Sequence, residues 1–139
     1  MRVVLDTNVF VSATLIRGGN EDRVLRGFQR GRFDLVISPP ILEEIGRVLF
    51  YARLRKKQWP AEEEIRALIR YVAEASFLAP GRLNVAICRD PEDNKFLAAA
   101  LEAGARYLVS GDKDLLDLGS HSGVDIVTPS AFLRVLRHA

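Results

Sequence analysis

Short runs of apolar, β-branched residues alternate with longer stretches of helical periodicity along nearly the whole chain, and this alternation restricts the fold more than any other feature. Residues 3–5, 35–37, 107–109 and 125–127 are rich in β-branched or aromatic side chains and bounded by Gly, Ser, Asp or Pro, which predicts buried strands; residues 76–78 are a weaker fifth candidate. Helical patterns cover residues 22–30, 40–51, 62–75, 93–103 and 130–136. Such an order predicts right-handed βαβ crossovers and an α/β fold whose mostly parallel sheet carries helices on both faces. In these folds ligands bind outside the carboxyl ends of the strands.

The 139 residues contain neither an internal repeat nor a Gly/Ser or Pro linker, so one domain over residues 1–139 is expected. A globule of this size buries about two-thirds of the surface its unfolded chain exposes. Lys and Arg number 20 against 18 Asp and Glu, so net charge barely favours an anionic partner and only its local distribution matters. A single cysteine, Cys88, rules out an internal disulfide; with only His121 and His138 beside it there is no soft-ligand zinc set. Any metal would therefore be held by oxygen. Asp6 cuts the first apolar run short of a signal-peptide core or membrane span, so a cytoplasmic protein with no membrane association is expected.

Several acids stand where elements begin or end. Asp6 directly follows the first strand and Asp112 stands three residues beyond Val109, so both side chains would emerge at the ligand-binding edge. Each is equally suited to cap the helical turn behind it. At about 100° per helical residue, Ile41, Ile45, Val48 and Leu49 form an apolar stripe with Glu44 on its border and Glu43 pointing away. Asp93 falls in the middle of the stripe formed by Phe96, Leu97 and Ala100. Asp90, Pro91 and Asp93 also resemble a capping box, with Asp93 in place of the usual Glu or Gln, and a capping role does not exclude metal binding. Brought together, Asp6, Glu44, Asp93 and Asp112 would repel until protons or a hard divalent cation neutralised them. One or two Mg²⁺ or Mn²⁺ ions held there could activate water and stabilise the leaving oxygen of a phosphodiester.

The motifs Val4-Leu5-Asp6-Thr7-Asn8-Val9, Ser38 followed by Glu44, Asp93-Asn94-Lys95-Phe96-Leu97 and Val109-Ser110-Gly111-Asp112-Lys113-Asp114 resemble, in order, those of PIN-domain nucleases. The likeness is nearest to the VapC-like toxin components of bacterial toxin-antitoxin pairs, and it reaches the terminal Val127-Thr128-Pro129-Ser130. It implies a three-layer α/β/α sandwich, Mg²⁺- or Mn²⁺-dependent endoribonuclease activity, a homodimer and an antitoxin partner. Position by position, it casts Asp6, Glu44, Asp93 and Asp112 as the catalytic, metal-holding acids and Asp114 as an extra metal ligand, with Thr7, Asn8 and Ser110 as polar support; Ser110 stands where the pattern often has Thr.

RNA binding requires positive charge. Arg53, Arg55, Lys56 and Lys57 form a basic run beside Tyr51 and Trp59, whose rings could stack on bases, though the run also reads as a solvated helix end. Arg17 lies in a Gly-containing loop expected near Asp6. A haloacid-dehalogenase-type phosphatase would want Asp where Asn8 stands, and a response-regulator receiver would want an acidic pair where Leu5 precedes a lone Asp6. A structure-specific DNA nuclease and a non-catalytic RNA- or protein-binding module remain the alternatives; the short chain, without added DNA-clamping elements, favours RNA.

Overall fold

The structure, a computed structural model, describes residues 1–55 and 60–139. Among these, six strands form one sheet in the order β3-β2-β1-β4-β6-β5. They are β1 (Arg2–Leu5), β2 (Asp34–Ile37), β3 (Phe77–Leu78), β4 (Tyr107–Val109), β5 (Ser120–His121) and β6 (Val124–Val127). Every pairing is parallel except β5 with β6, which closes the edge as a tight hairpin through Ser122 and Gly123, both at positive φ. The helices are α1 (Thr7–Leu15), α2 (Asn20–Gln29), α3 (Pro39–Arg55), α4 (Glu62–Ala75), α5 (Asn94–Ala103), α6 (Lys113–Leu118) and α7 (Pro129–Arg137), with a 3-10 turn at Pro91–Asp93 leading into α5.

The expected strands lie within a residue of those observed, because the sheet is buried on both faces and its strands are apolar without interruption. Val3, Val4 and Leu5 are consecutive and all in the core, as are Leu35, Val36 and Ile37. The chain steps outwards from β1 to β2 to β3, then returns to β4 on the other side of β1 and continues outwards to β6. Right-handed crossovers advancing in opposite directions set their helices on opposite faces, which makes the three-layer sandwich. The switch of direction falls between β1 and β4, and their register, Leu5 opposite Val109, brings the two carboxyl ends level. There Asp6 N–H donates to Val109 O at 2.9 Å, so the chain leaves β1 still tied to β4.

Three elements exceed what periodicity revealed. The turn after Asp6 is a full nine-residue helix whose Val9, Phe10, Val11 and Ala13 are buried on several sides, so α1 carries no polar face to betray a 3.6-residue repeat. α6 and β5 are short, six and two residues. α5 stops at Gly104, whose φ of 63° is the left-handed cap most readily taken without a Cβ. No helix among the described residues is long and apolar enough to cross a membrane.

Candidate active site

Asp6, Ser110 and Asp112 meet at the switch point because β1 and β4 end side by side there. Asp6 is buried, 4% exposed, and caps α1 by accepting the Asn8 backbone N–H at 3.1 Å. Its second oxygen accepts the Ser110 hydroxyl at 2.7 Å, and the same hydroxyl accepts the Asp112 backbone N–H at 2.9 Å. Ser110 thus fixes Asp6 to the turn that carries Asp112. Asp112 caps α6 by accepting the Asp114 N–H at 3.3 Å. For these two acids capping and site-facing placement coincide, because a strand end running into a helix start supplies both.

Glu44 reaches the cluster from α3. Ile41, Ile45 and Leu49 are sunk in the core and Glu43 is exposed, so the helical rotation leaves Glu44 half-buried on the border of the stripe. The buried Thr7 hydroxyl donates to its Oε2, and Lys95 Nζ reaches its Oε1 at 2.7 Å. Burial pushes the Glu44 carboxyl up, but the Lys95 and Thr7 hydrogen bonds outweigh it and hold it below the usual range. Lys95 is raised in turn: burial lowers it, and the bonds to Glu44 and Glu92 more than compensate. Lys95 was visible in sequence only as part of the Asp93 motif. Its distinguishing signal is a lone cation on the otherwise apolar first turns of α5.

Asp93 is the strained member. The capping box divides: Asp90 caps the 3-10 turn by accepting Glu92 N–H at 3.0 Å, while Asp93 makes no side-chain capping bond. Among the described residues no donor reaches its buried Oδ2. Burial, a hydrogen-bonding contact with the Asp112 carboxylate, and the charges of Asp112, Asp6 and Asp90 raise the Asp93 carboxyl from 3.8 to about 7. Asp6 is raised too, by burial above all; Ser110 and Asn8 lower it, and the Asp112 and Glu44 carboxylates add to the rise. The half-buried Cys88 beside these acids is pushed up by burial and by Asp93, Asp112 and Asp90, which keeps it a protonated, unreactive thiol. Asn94 holds its loop by accepting the Cys88 and Ile87 N–H groups at 2.9 and 3.3 Å.

Ser110 thus joins Asp6 to the Asp112 turn, Asp93 lies against Asp112, and Glu44 acts on Asp6 only through its charge. Among the described residues no group of three or more His, Cys, Asp or Glu is arranged so that it could hold a metal ion. Asp114 departs from expectation, for its carboxylate turns to Arg89 at 3.0 Å on the half-exposed rim. Asn8 is exposed and supports Asp6 through its backbone. Arg17 is a correction. The nine residues of α1 carry the chain about 14 Å along the helix axis from Asp6, and Arg17 faces Asp22 instead. Arg53 is half-buried and Arg55 is exposed against the Tyr51 ring, while Lys56, Lys57 and Trp59 lie outside the described residues.

A family model described as PIN domain matches residues 2–114, a span holding all five candidate acids. An uncharacterized protein of Methanocaldococcus jannaschii is 35% identical over 118 residues, 85% of this chain and 75% of that protein. Among solved structures, the crystal structure of VapBC2 from Rickettsia felis bound to a DNA fragment from their promoter superimposes with a TM-score of 0.59 at 12% identity, covering 92% of this chain and 98% of that one. At that identity the likeness is one of fold.

Proposed function

This chain belongs to the PIN-domain family, and from that premise we propose that it is a single-domain, cytoplasmic, metal-dependent endoribonuclease, the toxin of a toxin-antitoxin pair. The observation that carries the reading is Asp93: a carboxyl raised to about 7 between other acids, with a buried oxygen that no donor among the described residues serves. Structural acids are satisfied by the protein around them, as Asp22 is by Gly18 and Arg26. A carboxylate built against its own ionisation fits a cation that arrives with the substrate.

The donor set suits that ion. Carboxylate oxygens are hard ligands of the kind Mg²⁺ and Mn²⁺ take, and the sulfur nearby is kept protonated. Asp6, Asp93 and Asp112 would hold it, with Glu44 as fourth acid. Bound there, a divalent ion would supply an acidified water and charge neutralisation on the phosphodiester oxygens. The remaining work falls to the chain. Ser110 and the Asn8 N–H orient the Asp6 carboxylate, the α6 cap orients Asp112, and Thr7 with Lys95 fixes Glu44. Asp114, paired with Arg89, sits at the rim as an outer acid.

RNA is the proposed substrate because the ordered acid motifs resemble those of the VapC-like endoribonucleases; Arg55, Lys56 and Lys57 are candidates for phosphate contact. The likeness to the VapC-like group supports a homodimer and an antitoxin protein as partner. Incubating the purified protein with defined RNAs and DNAs, with Mn²⁺ or with chelator, tests the reading. Mn²⁺-dependent scission of RNA, lost in Asp6→Asn, is expected. Cleavage that survives chelator or Asp6→Asn would overturn it, and preferential cutting of DNA would reassign the substrate.

A further inference from the structure

A second charged feature lies away from the acids. α2 and α7 pack side by side over a cleft of about 350 Å³ lined by Arg23, Arg30, Arg32, Arg134 and Arg137. These five carry a formal charge of +5 in a chain whose net charge is +2, so the rest of the molecule sums to −3. All five are exposed, and among the described residues none forms an ion pair with a carboxylate. Other surface arginines do: Arg26, Arg47, Arg66, Arg89 and Arg106 each have an acid within 4.0 Å. Unneutralised positive charge collected in a concavity raises the potential there well above that of scattered side chains.

Spacing turns the cluster into a track. Arg23 lies on α2 and Arg30, seven residues on, is the residue that caps its C-terminus, about two turns and 10 Å away along the same face. Arg134 and Arg137 are one turn apart on α7. Gly27, between the α2 pair, lets the helices close. A Cβ there would stand 3.2 Å from Leu136 Cδ1 and 3.4 Å from the Phe33 ring, so the two side chains of the floor would have to give by a few tenths of an ångström. Arg32 Nη2 donates to Leu136 O at 2.6 Å, which pins the lower end. The upper end, Ser130, follows β6, whose Val127 pairs with the same Val109 that leads to Asp112. The cleft therefore opens on the sheet edge that carries the acids and runs down from it.

The geometry points to an exosite for the sugar-phosphate backbone of single-stranded nucleic acid, engaging several phosphates outside the acid cluster. Planar guanidinium forks in two rows suit phosphate oxygens bidentately. An acidic peptide fits less well, because among the described residues the lining offers only Leu133 and Leu136 as apolar side chains and no aromatic pocket to anchor one. The exosite does not depend on whether Asp6, Asp93 and Asp112 hold an ion, and it is tested without one.

In chelator, binding of a labelled 16-nucleotide RNA is followed by fluorescence anisotropy across a salt series, for the intact protein and for Arg30→Gln/Arg134→Gln/Arg137→Gln, which spares the packing residue Arg32. Each lost contact to a single strand lowers the salt slope by about 0.7, so the triple variant should lose about 2 in slope and roughly tenfold or more in affinity at low salt. Arg66→Gln/Arg70→Gln, on α4, controls for charge removed elsewhere. An unchanged slope in the triple variant, or a loss equal to the α4 control's, overturns the exosite. So does a poly-glutamate peptide of equal charge that binds in the same arginine-dependent way while the RNA does not. Unaltered thermal unfolding verifies that the variant is folded, and an unfolded triple variant is replaced by Arg134→Gln alone, with an expected slope loss of about 0.7.

Discussion

Asp93→Asn separates holding an ion from stabilising the fold, because the same carboxyl has opposite effects on the two. Its folded pKa is raised from 3.8 to about 7, so between those values the folded state keeps a proton that the unfolded chain has released. The corresponding stability is fully present below about pH 4 and is lost as pH rises through 7. At about 1.4 kcal/mol per tenfold change in proton affinity, the upper bound is about 4 kcal/mol. Asp93 is only half-buried, so solvent screening reduces the working figure to about 1–2 kcal/mol. The amide of Asp93→Asn bears no charge at any pH and brings N–H donors to the Asp112 carboxylate. In chelator at pH 8 the variant should therefore be the more stable protein, by a few degrees in Tm.

At pH 5 the folded parent is still neutral at this position while its unfolded chain has ionised, so the gap should narrow to a minor part of its pH 8 value. Mn²⁺ should reverse the order at pH 8, since an ion bound only to the folded state stabilises the parent by about 2.7 kcal/mol at a hundred times its Kd, and the variant by much less. Thermal unfolding followed by circular dichroism at pH 5, 6.5 and 8, with chelator and with Mn²⁺, reads all of these terms. Equal stability of the two proteins at every pH would mean that the carboxyl is not held against ionisation. Equal Mn²⁺ stabilisation of both would remove Asp93 from the ion-holding set.

Lys95→Met leaves Glu44 half-buried without its cation and should lower stability by about 1–3 kcal/mol at pH 7–8. Because the Glu44 carboxyl is depressed, that contribution is present above about pH 4.5 and lost as pH falls through the depressed value, so urea midpoints of variant and parent should merge near pH 3. Ser110→Ala removes the donor to Asp6 and the acceptor of the Asp112 N–H, at about 2 kcal/mol in denaturant titrations. It should also move the acidic limb of the cleavage profile to higher pH, since the Ser110 bond is the larger of the two, with the Asn8 N–H, that lower Asp6. Ser110→Thr, which keeps the hydroxyl, should restore both; a Thr variant as impaired as Ala would refute the hydrogen-bonding role.

The meeting of Asp6 and Asp112 at one sheet edge was legible in sequence because it follows from chain direction alone. A parallel sheet puts every strand end on one edge, and Asp6 and Asp112 stand just past strand ends. Glu44 was distinguishable from Glu43, and Asp93 from a solvated charge, because 100° of helical rotation assigns each residue a face before any packing is known. α1 hid because its burial on several sides erases the periodicity that announces a helix. The Glu44–Lys95 pair hid for another reason: its members lie 51 residues apart on different helices, and each reads locally as an ordinary charge.

The arginine cleft shows the same limit at larger scale. Residues 53–57 caught attention as a basic run because their charges are neighbours in sequence, yet the described part of it, Arg53 and Arg55, is a helix end with Arg55 lying against Tyr51. Arg23 falls on the outer face of α2 and Arg30 at its C-terminal cap, and Arg134 and Arg137 fall on the outer face of α7, where they look like ordinary solvated side chains of amphipathic helices. Only the close approach at Gly27, more than a hundred residues from Leu136, turns two polar faces into one groove. Local charge patterning reports what a helix shows to water, and an electrostatic site built by tertiary packing appears only when the helix axes are known.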